Sequence, residues 1–191
     1  ETGEMVSDYD VIIVGGGHAG VEAAHAAVRL GCTVGLCTLS RETVAHMPCN
    51  PAVGGTAKGH LVREIDALGG LMGQAIDATA VQFKLLNRSR GPAVWSPRAQ
   101  ADKQRYGAWM RARLEREPNI GWIVERAGAP VIEGGRVVGV ELENGDRYGC
   151  RALVVTTGTF LNGLVHVGRE QQVAGRVGEP ASRMLGESLK R

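Results

Sequence analysis

The 191-residue chain carries 22 Lys and Arg against 20 Asp and Glu, a net charge of +2, so no global imbalance demands a nucleic-acid or membrane partner. Its length fits one domain, or a domain with a small insertion, and 43% hydrophobic residues are enough to bury a core. No apolar run approaches the ~20 residues of a membrane span, no signal peptide is visible, and Cys32, Cys37, Cys49 and Cys150 form neither a CxxC pair nor a zinc spacing. That pattern reads as free thiols, no metal site and a reducing, cytoplasmic compartment. Glycine, 28 residues and about twice the usual ~7%, is spread over turns, as in loops that approach ligands.

Residues 1–9 read as a tag or disordered N-terminus, with Glu1-Thr-Gly-Glu4 preceding Met5. The apolar run Val11 to Val14 then predicts a buried parallel strand that stops at Gly15-Gly16-Gly17. A helix is predicted from His18 to Leu30, with Gly31 after its end. Strand, glycine turn and helix are the context that gives a GxGxxG match its meaning, and the motif glycines are Gly15, Gly17 and Gly20. The first permits the turn, the second lets backbone N–H groups approach a diphosphate, and the third lets helix and strand pack closely. Gly15, Gly16, Gly17, His18, Ala19 and Gly20 are therefore candidate dinucleotide-binding residues, with the anion on the helix N-terminus. Cys32 to Thr38 reads as the second parallel strand. It ends in Thr38-Leu39-Ser40 without the acidic residue that takes ribose hydroxyls in NAD-type domains, so the ribose contact stays unassigned.

Pro48 and Pro51 bracket Cys49-Asn50 and push the preceding residues toward extended conformations, so Cys49 sits on a stiff loop. It is a candidate reactive thiol near a helix N-terminus, against the alternative of a small buried apolar side chain. A helix is predicted from Lys58 to Leu68, with Leu61, Val62, Ile65 and Leu68 on one face and Lys58 and Arg63 available for phosphate. Alternation of Val81, Phe83 and Leu85 predicts a strand over 78–86, followed by a loop over 87–92 and a long helix over 98–117. Eight basic residues lie between Lys84 and Arg113 with Asp102 as the only acid, and the loop residues Arg88, Arg90 and Arg98 are the better candidates for phosphate contact.

A short strand over 120–124 precedes alternating runs broken by Gly134-Gly135 and Asn144-Gly145, which predict a β-meander over 130–150. Ala152 to Thr156 returns as a buried strand ending in Thr157-Gly158-Thr159-Phe160, a turn at the strand edge where ligands bind. The fold class is thus α/β: a Rossmann-like domain over 10–191 with a parallel sheet and a β-meander crossover. That is the half of a glutathione-reductase-like flavoprotein that holds FAD. A helix is predicted over 182–189, and no nicotinamide or substrate region is left before Arg191, so the chain reads as the truncated front part of a longer protein.

Six stretches together resemble one family: Gly15-Gly-Gly-His-Ala-Gly20, Cys49-Asn-Pro-Ala-Val-Gly-Gly55, Lys58-Gly-His-Leu61 through Gly70, Leu86-Asn87 with Gly91-Pro-Ala-Val94, Arg98-Ala-Gln-Ala-Asp102, and Thr157-Gly-Thr-Phe-Leu161. They are similar to the N-terminal part of the GidA/MnmG family of tRNA uridine 5-carboxymethylaminomethyl modification enzymes. The resemblance implies FAD bound at 15–20, an adenine-side backbone contact near Ala127, a flavin contact at Ser182, and Cys49 as a candidate catalytic thiol. Thr157 and Gly158 complete the expected cofactor site. For a full-length member it further implies NADH as reductant, a folate one-carbon donor, an MnmE-type GTPase partner, a homodimer and tRNA as substrate. The expected product carries an aminomethyl or carboxymethylaminomethyl group on C5 of the wobble uridine, with the piece alone inactive. The alternatives are a generic FAD- or NAD(P)-dependent oxidoreductase domain and a non-catalytic nucleotide- or RNA-binding module.

Overall fold

Alternation and glycine punctuation set the element order seen in the computed structural model, which describes residues 5–176 and 178–190. In chain order these are β1 (Ser7–Val14), α1 (His18–Arg29), β2 (Val34–Thr38), β3 (Ala52–Gly54), α2 (Lys58–Ala67), α3 (Met72–Thr79), β4 (Ala80–Leu86) and β5 (Ser96–Ala101). Next along the chain come α4 (Lys103–Glu115), β6 (Ile120–Val124), β7 (Ala127–Glu133), β8 (Arg136–Leu142), β9 (Arg147–Val155), β10 (Leu164–Val167), β11 (Glu170–Val173) and α5 (Arg183–Ser188). The expected tag at residues 1–4, Val177 in the glycine-rich stretch and Arg191 lie outside the described residues.

The chain divides into two units, one of residues 1–41 with 118–191 and one of residues 42–117. The first holds a sheet of order β6-β2-β1-β9-β8-β7. β1 lies parallel to β2 and β9, and β2 parallel to β6, whereas β8 runs antiparallel to both β9 and β7. Helix α1 makes the crossover from β1 to β2 and buries Val21 and Ala24. It ends as expected at Gly31, whose φ of +86° suits a residue without Cβ. Only Glu125 and Arg126 separate β6 from β7, yet these strands stand at opposite ends of the sheet order. The sheet must therefore fold back on itself. The core records this: Ile12, Val14, Cys37 and Ile123 of the parallel strands pack with Ala127, Val140 and Leu142 of the meander and with Leu185 of α5.

In the second unit β3, β5 and β4 form an antiparallel sheet with β5 in the middle. Val53, Ala99 and Ala101 are buried on one face, and α4 buries Tyr106, Met110 and Leu114.

Five expectations are corrected. The strand at the front starts at Ser7, because Ser7 to Tyr9 pair with Tyr148 to Cys150, so these residues are neither tag nor disorder. The third meander strand and the return strand are one nine-residue strand, β9, in which Arg147 to Gly149 pair with β8 and Tyr148 to Val155 pair with β1. That strand is not fully buried, since Val154 and Val155 are each more than a third exposed. The helix over 98–117 starts only at Lys103. Asp102 is its N-cap, accepting from the Gln104 and Arg105 N–H groups at 3.0 Å each, and residues 96–101 alternate as β5. Helix α3 takes residues assigned to no helix and shortens the strand before Leu86 to Ala80–Leu86, with Thr79 Oγ1 donating to Ala75 O at 2.7 Å.

Ile12 is fully buried, so Ile12→Ala is expected to lower the unfolding free energy by about 3 kcal/mol. Leu68 is 80% exposed at the end of α2, and Leu68→Ala should cost less than about 0.5 kcal/mol. Urea denaturation of the two variants checks the contrast.

Candidate functional site

The glycine turn is held by distances too short for any Cβ. A methyl on Gly20 would lie 1.8 Å from Gly15 O and 2.8 Å from Thr156 Oγ1, and one on Gly15 would lie 2.6 Å from Thr156 O. Gly15 also has φ +110°, outside the range most side chains adopt. Thr156, at the end of β9, donates its hydroxyl to Val14 O at 2.9 Å with Gly15 O at 3.1 Å, and its N–H donates to Val14 O at 2.8 Å. Sequence reasoning stopped one residue short of it, at Thr157. The signal that could have found it is the Thr-Thr-Gly run at a strand end, since a carbonyl left at the edge of a parallel pair needs a donor.

Gly17 differs from its neighbours. It is the exposed N-cap of α1 with ordinary extended backbone, φ −73° and ψ −175°, and nothing lies within 4 Å of where its Cβ would be. Neither fold nor backbone demands glycine there. The first turn of α1 carries no acidic residue and no side-chain cap, so the positive end of the helix dipole faces solvent beside Gly17 and Ala19. His18 lies half-buried beside them, and Gly16 is buried.

The other expected cofactor residues lie in the same unit. Thr157 and Gly158 enter a 3-10 turn, Gly158–Phe160, directly after β9. Ser182, buried, donates its N–H to Phe160 O at 2.8 Å and its carbonyl accepts from Asn162 N–H at 3.2 Å, which brings it beside that turn. Ala127 is buried at the start of β7, in one core with Val14 and Leu185. At the end of β2, where an acidic ribose ligand is missing, Thr38 donates its hydroxyl to Ser40 O at 3.2 Å, and the Arg41 guanidinium lies 5.2 Å over the Trp122 ring.

In the second unit Cys49 is exposed on a bend. In the chain, β3 and a turn stand between it and the start of α2. Helix α2 fully buries none of its residues: of the expected apolar face Val62 and Ile65 are half-buried, while Leu61 is 61% and Leu68 80% exposed. Arg63 lines a cavity of about 470 Å³ with the apolar Val53, Val62 and Ile76 and with the charged Asp66, Asp77, Lys84 and Arg98, so cations and carboxylates share it. Lys58 is exposed at the first position of α2, and Arg88 and Arg90 are exposed on a 3-10 turn. Arg98 stands on β5, half-buried, rather than at a helix start.

The four cysteines are free, and among the described residues no group of His, Cys, Asp and Glu is placed to hold a metal. Burial pushes the Cys37 thiol up to about 12, with Glu125 adding to the effect, and it donates to Glu125 O at 3.2 Å. Burial also raises Cys150. Among the described residues no helix is long and apolar enough to cross a membrane.

Residues 10–191 match the family described as glucose inhibited division protein A. The chain belongs to this family. It is 50% identical over 184 residues to the tRNA uridine 5-carboxymethylaminomethyl modification enzyme MnmG of Thermodesulfovibrio yellowstonii, covering 96% of this chain and 30% of that protein. A solved structure of Aquifex aeolicus GidA superposes with TM-score 0.91 at 49% identity over 96% of this chain and 31% of its own. A GidA-related protein from Thermus thermophilus, at TM-score 0.66 and 24% identity over 96% of this chain and 68% of its own, shows the same fold alone. The chain spans about 30% of the length of the curated relatives it matches.

Accessibility predicts the order of thiol chemistry. Iodoacetamide at neutral pH should label Cys49 first in the folded protein and leave Cys37 and Cys150 unmodified until denaturant is added. Peptide mass spectrometry reads the order, and native labelling of Cys37 would contradict its burial.

Proposed function

We propose that this chain holds FAD on its glycine turn and forms the flavin-binding part of an enzyme that modifies C5 of the wobble uridine of tRNA. Gly17 carries the cofactor half of that reading. Its empty Cβ position at an uncapped helix N-terminus fits a diphosphate and has no other use in the fold. The N–H groups of the first turn of α1, from His18 to Gly20, would hold the diphosphate. Backbone at Ala127 would meet the adenine side, and Thr157, Gly158 and Ser182 would line the flavin side. The uridine half rests on membership of the family and on relatives at about 50% identity whose names state the tRNA modification.

Flavin, when bound, supplies two-electron exchange with a one-carbon unit. The protein's own part is to fix the diphosphate and to present a thiol. Cys49, on its exposed loop, is the nucleophile we assign to the uridine. For the whole protein the same reading includes NADH as reductant, a folate-borne one-carbon donor, an MnmE-type GTPase partner, a homodimer and a cytoplasmic setting.

Serine is a better helix N-cap than glycine, so Gly17→Ser should leave the melting temperature unchanged or slightly raised while filling the space meant for phosphate. Flavin fluorescence titration is expected to show at least a tenfold loss of FAD affinity. Full FAD binding by Gly17→Ser would remove the site from the glycine turn. In a protein of the relatives' full length that carries this chain, Cys49→Ala is expected to abolish modified uridine, measured by mass spectrometry of tRNA. Unchanged turnover there would take Cys49 out of the mechanism and leave the FAD site standing.

A further inference from the structure

We propose that the β4–β5 hairpin is an RNA-binding element, in which Lys84, Arg88, Arg90 and Arg98 neutralise backbone phosphates and Trp95 stacks on an unpaired base. From Ala78 to Ala101 the sequence holds these four cations and no Asp or Glu. Among the described residues none of the four forms an ion pair. Other arginines do: Arg113 with Glu117, Arg126 with Glu143 and Arg147 with Glu141. The hairpin is thus a local concentration of cations outside any ion pair in a nearly neutral chain; Asp66 and Asp77 line the cavity that Lys84 and Arg98 line, and the Arg88–Arg90 turn itself carries no carboxylate.

The register makes the concentration sharper. Lys84 stands directly opposite Arg98 across the β4–β5 pair, an arrangement of like charges that destabilises a sheet unless an anion lies over it. The pair shares its face with Gly54 of β3, which offers no side chain to cover it. Ala99, the neighbour of Arg98, alternates to the other face opposite Val53, and both are buried, while Lys84 and Arg98 line a cavity together with Asp66 and Asp77.

The connection between the strands is built rather than slack. Arg90 N–H donates to Asn87 O at 2.9 Å, and Asn87 Nδ2 donates to Val94 O at 3.1 Å, with Asn87 itself at φ +60°. Trp95 Nε1 donates to Arg88 O at 3.3 Å, so the indole N–H is used internally while the residue is 46% exposed. What remains to a partner is the flat face of the ring. An acidic protein could match the charges, but a single-stranded nucleic acid supplies a phosphate and a planar base in every repeat unit, which suits cations set around an exposed ring face.

The choice of tRNA as the RNA rests on the function proposed above, and the test separates the two. Fluorescence anisotropy with a dye-labelled anticodon stem-loop bearing a wobble uridine reads binding to the 191-residue chain across a salt series. Arg88→Ala with Arg90→Ala is expected to weaken binding about tenfold or more and to reduce the log–log salt slope by about 1.5. Trp95→Ala should weaken binding about tenfold with the slope unchanged, and Trp95→Phe should restore most of it. Arg88→Lys with Arg90→Lys should keep the slope, and Arg136→Ala with Arg169→Ala on the other unit should change nothing. Melting temperature and FAD content are followed in every variant. Binding that ignores the hairpin variants, absent binding by the unaltered chain, equal affinity for heparin with Trp95→Ala silent, or preference for an acidic polypeptide would each overturn the proposal. Loss of FAD with RNA binding intact would count against the flavin reading alone.

Discussion

The contact on which the first unit depends is the approach of Gly20 to the Gly15 carbonyl, locked by Thr156. It brings together three pieces of chain, the end of β1, the start of α1 and the end of β9, the last about 140 residues away in sequence. Without Cβ atoms at 15 and 20 the helix can seat directly on the turn. With the Thr156 N–H donating to Val14 O and its hydroxyl shared between Val14 O and Gly15 O, both carbonyls have a donor where the parallel ladder ends. Any shift of α1 outward would also move its N-terminal N–H groups, and with them the place for an anion. Site geometry and fold are therefore one constraint here: the same glycines that let the core close also aim the helix.

That constraint explains what could be read in advance and what could not. The β1–turn–α1 unit was legible because every signal is local: an apolar run, three spaced glycines, a helix-forming series and a terminal Gly31. The meander was legible from Asn144-Gly145, whose Asn144 Oδ1 accepts from Asp146 N–H at 3.0 Å. The continuity of β9 was not. Cys150-Arg151 looks like a break, and only pairing with two different strands shows why one long strand is needed there. Thr156 was missed for the same reason, since its role exists only once distant carbonyls arrive beside it. Ser182 and Ala127 came from resemblance, not pattern; the structure places Ser182 beside the Gly158–Phe160 turn through backbone bonds that no spacing announces.

In the second unit local signals misled where strand and helix compete for one stretch. Residues 98–101 carry helix formers, but Ala99 and Ala101 are buried by alternation and Asp102 caps only α4, so pairing with β3 and β4 overrides propensity. Helix α2 shows the converse. Its periodicity is correct and its helix forms, yet none of its side chains is buried. Periodicity reports that a face can be covered; it does not report that it is.

Charge behaves likewise. A net value of +2 over the chain averages a hairpin of four cations and no carboxylate with regions where arginines are matched by glutamates. At an ionic strength near physiological, fields fade over about 8 Å, so a ligand at the turn of the β4–β5 hairpin meets Arg88 and Arg90 rather than the chain's average, while Lys84 and Arg98 share their cavity with Asp66 and Asp77. The two kinds of anion site proposed here then differ in how they achieve selectivity. The glycine turn presents only backbone dipoles in a fixed arc, which suits one compact diphosphate and rejects bulk. The hairpin presents full charges on long side chains around a rigid Trp95, which suits a repeating phosphate chain with bases to spare. One chain close to neutral can hold both because neither depends on net charge. The first is set by the absence of three Cβ atoms, and the second by the absence of carboxylates from the strands and loop between Ala78 and Ala101.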